Sequence, residues 1–358
     1  MSIAHTFSPS QSMSIPHGYW LLRVGAWRFL AHRRGCLSAL ILALAIVGIS
    51  SASLAFGTAN LSPLRALLAV FGHGEPMHLF LIQELRLPRL AAGLLTGAAL
   101  GMAGCLLQTL ARNRLATPGL IGIDDGATAF AVASIVAIPI SLAPSFLALT
   151  GAATAAALAF GLSGGTGSRG YRFIVVGIGV GTMFGALTNL MLARTDIDSA
   201  NLAYPWTVGS LNARSEPAIW ILAIGVALCL PIAKYLTRPL NLMRFPDAVA
   251  QGLGVRLKIM RSATLIVTVI LTAAAVAVVG PVGLIALAAP EIARHMAGHQ
   301  GIPVIGAGLA GALVMITSDW AGRTLFAPIE IPVGVITAVI GGPYLLWILI
   351  REPSRRMS

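Results

Sequence analysis

Charge is what this sequence has least of. Asp, Glu, Lys and Arg together make up 10% of its 358 residues, whereas soluble domains carry about 25%. Hydrophobic residues make up 57% and the mean hydropathy is +0.86, which excludes a water-soluble globule. Cysteine is nearly absent: Cys36, Cys105 and Cys229 stand isolated in apolar runs. That spacing suits neither a disulfide framework nor a metal site, so no metal is expected and the three read as small buried side chains. A P-loop lysine is also missing. "GLSGGTGSRG" (161–170) is Gly-rich but ends without the G-K-[ST] that cradles phosphates. The chain is expected to bind no cofactor, and any ATP and Mg would sit in another subunit. No Ser/His/Asp grouping suggests catalysis, so the chain is not expected to be an enzyme. Ionisable groups inside the apolar runs are few, namely Asp124, Asp125, Glu291 and Asp319. They form no relay across a bilayer, which disfavours an ion-coupled secondary transporter but keeps it as an alternative.

What is present is a succession of apolar runs near 20 residues, each long enough to cross about 30 Å of hydrocarbon as a helix. Hydropathy, breakers and charges predict about ten spans: 36–57, 88–110, 119–138, 144–163, 172–193, 218–236, 262–279, 281–296, 303–321 and 330–350. The expected fold is an all-α polytopic membrane protein. Residues 1–35 form an N-terminal tail, 36–350 the transmembrane region and 351–358 a C-terminal tail. The tail before Tyr19 is Ser/His/Pro-rich and expected to be disordered, and Met13 offers a second possible start. This layout puts 18 of the 24 Lys and Arg on one side and 6 on the other. The richer side is cytoplasmic by the positive-inside rule, with both termini there. The net charge of +12 thus records topology, and no nucleic-acid partner is expected.

Thirty-nine glycines suit close helix packing in lipid, where no hydrophobic drive brings helices together. "LTGAALGMAG" (95–104) echoes "LTAAAVAVVG" (271–280) in register. The two spans point in opposite directions in this topology, as inverted repeats would.

Three stretches carry candidate function. The longest cytoplasmic connection, 237–261, reads "TRPLNLMRFPDAVAQGLGVRLKIMR". Asp247 could cap a short helix ending before Gly254, and "VRLKIMR" could make a second short turn. A docking surface and a solvated loop both fit this pattern. On the far side, Arg86 and Arg89 in "RLPR", and Arg323 in "SDWAGR", work against the positive-inside bias. They fit snorkelling to headgroups or forked pairing with carboxylates of an external protein. In "GPVGLIALAAPEIAR" (280–294), Pro281 suits a helix start. Pro290 suits a kink whose freed carbonyl neighbours or water satisfy. Glu291 and Arg294, three residues apart on one helix face, read as a local ion pair or as part of a gate.

Taken together, several stretches resemble one family, the FecCD-type permease subunits of iron–siderophore, haem and cobalamin ABC importers. The carrying residues are "RLPRLAAGLLTGAALGMAGCLLQTLARNRLATPGLIGIDDGA" (86–127), "PWTVGSLN" (205–212), "AQGLGVRLKIMR" (250–261), "GPVGLIALAAPEIAR" and "IPVGVITAVIGGPYLLWIL" (331–349). The resemblance implies ten transmembrane helices in two inverted-repeat halves, with short coupling helices. It implies ATP-driven alternating access with a second permease (identical or sister chain), two cytosolic ATPases and an external substrate-binding protein, in a bacterial inner membrane. Arg86, Arg89 and Arg323 match the arginines that meet the binding protein. Asp247, Ala250, Gly252, Leu253, Gly254 and Arg256 match the ATPase-coupling segment. Asn113 and Leu115 match an N-P-L element at a cytoplasmic gate, with Arg114 between them, and Thr166, Gly167 and Ser168 fall where a second gate loop is expected. Two positions depart from the pattern: Arg114 replaces the proline of N-P-L-A, and Glu291 replaces the histidine of P-H-x-x-R. The "ALAAP" variant is most similar to permeases for ferric catecholates of the enterobactin type. The other chelates named for the family (hydroxamate siderophores, haem and cobalamin) are the alternatives.

Overall fold

The computed structural model describes residues 19–24, 27–57, 61–136, 144–163, 170–212, 215–298 and 301–351. The chain before Tyr19, expected to be disordered, lies outside them. Apart from one antiparallel hairpin, β1 (Tyr19–Val24) with β2 (Trp27–His32), every described element is helical. The hairpin lies within the stretch expected to form the N-terminal tail.

In chain order the helices are α1 (Arg33–Ala55), α2 (Pro63–Val70), α3 (Pro76–Leu79), α4 (Leu87–Ala111), α5 (Ile123–Val136), α6 (Pro144–Leu162) and α7 (Gly170–Arg194). They continue as α8 (Ile197–Val208), α9 (Glu216–Leu242), α10 (Asp247–Gly252), α11 (Leu257–Val279), α12 (Gly283–Ala297), α13 (Val304–Thr324) and α14 (Val333–Arg351). A π-helical stretch, Phe80–Arg86, joins α3 to α4, and a 3₁₀ turn, Pro118–Ile121, precedes α5. Each of the ten predicted spans falls on a helix. Seven apolar helices are long enough by themselves to cross a bilayer. The other three are α5, with 14 residues, α12, with 15, and α14, whose apolar stretch is Val333–Tyr344.

Local chemistry sets the boundaries. His32 caps α1 by accepting from Gly35 N–H at 3.3 Å, so α1 starts three residues before the predicted span. Ser62 caps α2, with Pro63 at the first helical position. Gly280, at φ +84°, ends α11. Pro281 lies in the connection and α12 begins at Gly283, two residues later than expected. In "VRLKIMR", Arg256 is the N-cap of α11 and Leu257–Arg261 begin that helix, so the stretch is not a separate short turn.

Helix α4 is the hub. It packs on α9, α11, α12 and α13, and it is buried without interruption from Ala99 to Gln108. Such burial all round demands small residues where backbones meet. A Cβ at Gly97 would run into the Gly311 carbonyl of α13, and one at Gly104 into the Ala286 carbonyl of α12. Gly97 faces Gly311 and Gly101 faces Ala307, so α4 and α13 run antiparallel.

The packing also repeats. Helix α5 packs on α6 and α7 as α12 packs on α13 and α14, and α6 packs on α11 as α13 packs on α4. Helices α4 and α11, which carry the sequence echo, hold corresponding places and pack on each other. Five helices per half is an odd number, so the repeat is inverted.

Candidate functional site

The two ends of the bundle hold separate charge networks. At the Asp247 end, Ala250 is fully buried and seats α10 on the bundle. Phe245, Val249 and Leu253, four residues apart, are each about half exposed on its outer side. Gly254, at φ +86°, turns the chain into α11, and a Cβ at Gly252 would meet nothing within 4 Å. Arg256 sits exposed at the N-cap of α11. Asp247 does not cap α10. Pro246 holds the cap position, and the Asp247 carboxylate instead accepts from Arg261 at 2.7 Å and Arg112 at 3.3 Å. The Arg261 hydrogen bond, with the Arg112 charge beside it, holds this carboxyl below the usual carboxylate range.

Arg112 stops α4 in a left-handed conformation, φ +51°. Its guanidinium donates to the backbone carbonyls of Met243 and Phe245, at 3.0 and 2.8 Å. Asn113 Oδ1 accepts from Leu115 N–H at 2.9 Å, an Asx turn that fixes the loop. Arg114 Nη1 lies 3.5 Å from Glu291 Oε1. Glu291, buried on α12, gives its other oxygen to Arg294 at 2.8 Å, and Arg294 continues to Gln108 Oε1 at 2.6 Å. His295 approaches Glu291 Oε1 at 3.6 Å. The Glu291–Arg294 pair expected from spacing is therefore one link in a longer chain. Leu115 is exposed. Thr166, Gly167 and Ser168 lie outside the described residues.

At the other end, the three arginines expected to face a partner are engaged within the chain. Arg86 is 9% exposed and donates to the carbonyls of Leu54 and Ala55, at 2.6 and 3.4 Å. It thereby supplies donors to the last turn of α1, whose carbonyls lack helical partners. Arg89 pairs with Asp319 and Glu330, both at 2.9 Å. Arg323 pairs with Asp319 at 3.1 Å and donates to Ser53 Oγ at 2.7 Å. Of the two carboxylates only Glu330 reaches solvent appreciably, 39% exposed against 7% for Asp319. Arg86, Arg89, Arg323, Glu84, Glu330 and Asn212 line a cleft of about 260 Å³ here.

Sequence reasoning missed Gln108, Arg112, Phe245, Val249, Asp319 as a partner, and Glu330. The basic run 112–114 and the apolar residues flanking Asp247 were visible signals. A glutamine inside an apolar run was another.

Residues 41–351 match the profile of the FecCD transport family. The chain belongs to that family. Its relatives include the achromobactin transport system permease of Dickeya dadantii, 35% identical over 88% of this chain and 90% of that protein. The ferric enterobactin transport system permease of Escherichia coli is 34% identical over 90% and 98%. The hemin transport system permease of Yersinia pestis is 34% identical over 85% and 93%. Among solved structures, a metal-chelate type ABC transporter in an inward-facing conformation superposes with a TM-score of 0.78, at 27% identity, covering 88% of this chain and 99% of that one. This FecCD protein is thus a multi-pass membrane permease, the non-enzymatic component of an importer.

Proposed function

We propose that this FecCD permease belongs to an ABC importer for a ferric siderophore of the catecholate type, working by ATP-driven alternating access in a bacterial inner membrane. It pairs with a second permease across the translocation path, and two cytosolic ATPase subunits supply the ATP and Mg chemistry. The Asp247 end and both termini face the cytoplasm, and the Arg86 end receives a substrate-binding protein.

The observation that carries this reading is the outer side of α10. Phe245, Val249 and Leu253 are apolar and exposed on a segment that Ala250 and the Arg112–Asp247–Arg261 contacts hold in place. A firmly seated apolar row between charged residues is what a partner surface needs. At the other end, an incoming acidic side chain reaches Arg89 by displacing Glu330, its more exposed partner. The catecholate assignment is supported by likeness to the enterobactin permease and by the "ALAAP" sequence.

The test is uptake of labelled iron by cells lacking this gene, offered as ferric catecholate, ferric hydroxamate, ferric citrate and haem in turn. Selective loss of catecholate uptake is the expected result. Selective loss of another chelate overturns the substrate class alone. Unchanged uptake of all four, in cells with no second importer, overturns the iron-chelate assignment and leaves cobalamin as the chelate to offer next.

A further inference from the structure

We infer that Arg114 and Glu291 form a matched ionic clasp that holds the loop after α4 against α12 and parts when the Asp247 end of the path opens. Both residues stand where the family pattern has something else, proline and histidine. Their side chains meet, Nη1 to Oε1, at 3.5 Å. Neither change alone could make this ion pair. Proline at 114 has no donor to offer Glu291, and a protonated histidine at 291 would repel Arg114. The two departures therefore read as one exchange.

The geometry divides Glu291 between two tasks. Oε2 is held by Arg294, whose side chain is 14% exposed and is tied onward to Gln108. That half of the carboxylate is fixed within α12. Oε1 faces Arg114, whose side chain is 45% exposed. A half-exposed ion pair is screened and weak enough to break and reform, whereas the buried one is not. A movable contact backed by an immovable one is suited to a gate. His295 Nδ1 stands 3.6 Å from the same oxygen, a second polar neighbour close at hand when Arg114 leaves.

The loop is also fastened on its other side. Two residues before Arg114, Arg112 binds the Met243 and Phe245 carbonyls and Asp247, all adjoining α10. The Asx turn at Asn113 keeps the intervening chain short and stiff. A displacement of α10 therefore pulls on Arg112 and reaches Glu291 through Arg114. This role rests on the proposed reading of 247–261 as the ATPase-contacting segment.

The experiment uses the full transporter, with its ATPases and binding protein, in nanodiscs. The variants are Arg114→Gln, Glu291→Gln, the double substitution and the conservative Arg114→Lys. Hydrogen exchange in residues 113–117 reads the clasp itself. ATP hydrolysis without binding protein reads the gate. Arg114→Gln should raise both about two- to fivefold, the range a half-exposed ion pair allows. Arg114→Lys should stay near wild type, and Arg114→Gln should add nothing further when Glu291 is already Gln. Independent, multiplying effects of the two substitutions overturn the clasp. Faster loop exchange with unchanged hydrolysis overturns its gating role. If the wild-type complex shows no hydrolysis stimulated by its binding protein, the importer reading fails and the gating role with it, and loop exchange still reports the contact separately.

Discussion

Gln108 Nε2 donates to the carbonyl of Ala286, 3.3 Å away and 178 residues distant in sequence. That carbonyl belongs to the residue four before Pro290, so Pro290, lacking an N–H, leaves it without its helical partner. Gln108 takes the missing donor's place, shares a further contact with Leu287 O at 3.4 Å, and accepts from Arg294 through its own oxygen. The amide thus has both ends used inside a buried helix crossing. Gln108→Leu should lower stability by about 1–3 kcal/mol, the cost of stranding buried polar groups. In a Pro290→Ala background, where the backbone N–H returns, the same substitution should cost less. Thermal unfolding of the four proteins in detergent gives the coupling, and equal costs in both backgrounds would remove Gln108 from this role.

The close approach of α4 to its neighbours makes a second prediction. A Cβ at Gly104 has only the Ala286 carbonyl to move against, whereas one at Gly48 on α1 meets nothing within 4 Å. Gly104→Val should cost at least the roughly 1–3 kcal/mol typical of overpacking. Gly48→Ala should stay within about 1 kcal/mol of wild type. Purified yield and unfolding midpoint compare them directly, and similar behaviour would contradict the packing described.

The arginine network ranks two substitutions. Asp319 is buried and serves both Arg89 and Arg323, while Glu330 is a partly exposed partner of Arg89. Removing one partner of a buried pair costs about 3–5 kcal/mol, whereas exposed pairs contribute about 0–1 kcal/mol. Asp319→Asn should therefore destabilise strongly and Glu330→Gln little. If Glu330 holds the place of a binding-protein carboxylate, Glu330→Gln should also tighten capture of the binding protein, measured by surface-immobilised permease. Weaker capture would instead make Glu330 part of the docking surface.

How legible this was in the sequence depends on the range of each interaction. Spans were readable because hydrophobicity is a local property. The Glu291–Arg294 pair was readable because three residues on a helix share a face. Gly254 was readable as a stop from its position after a short helix pattern. Residues whose partners are remote were not. Arg86, Arg89 and Arg323 looked like unpaired outward cations because Leu54, Asp319, Glu330 and Ser53 come to them only on folding. The need for Gln108 was half visible: Pro290 announced a carbonyl in want of a donor, but nothing in the chain said which residue would supply it. Asp247 followed the local rule for a cap, yet two arginines outcompeted the backbone for its carboxylate. Helices α2 and α8 escaped because 8 and 12 residues are too short for a span, although Ser62-Pro63 is a start signal.

Asp247 separates the effect of pH from the effect of removing the group. Its folded carboxyl is held below the ordinary value of 3.8, first by the Arg261 hydrogen bond. For a depressed carboxyl, the contribution is present above the unfolded value and disappears as pH falls through the folded one. Between about pH 5 and pH 8 the group stays ionised, so ATPase binding that depends on it should not titrate there. Asp247→Asn should weaken that binding by a similar factor at both ends of this range. The factor should shrink in high salt, because the carboxylate is about half exposed and its pairing is screened. Gly252→Leu provides the contrast. Open space surrounds that position in the isolated chain, so the permease itself should be as stable as wild type while ATPase binding is lost. Pull-down of the ATPase at the two pH values, alongside the unfolding midpoint, measures both. A wild-type binding curve that falls between pH 8 and pH 5 in step with the loss in Asp247→Asn would show that this carboxyl titrates near neutrality, against the geometry of its two arginines.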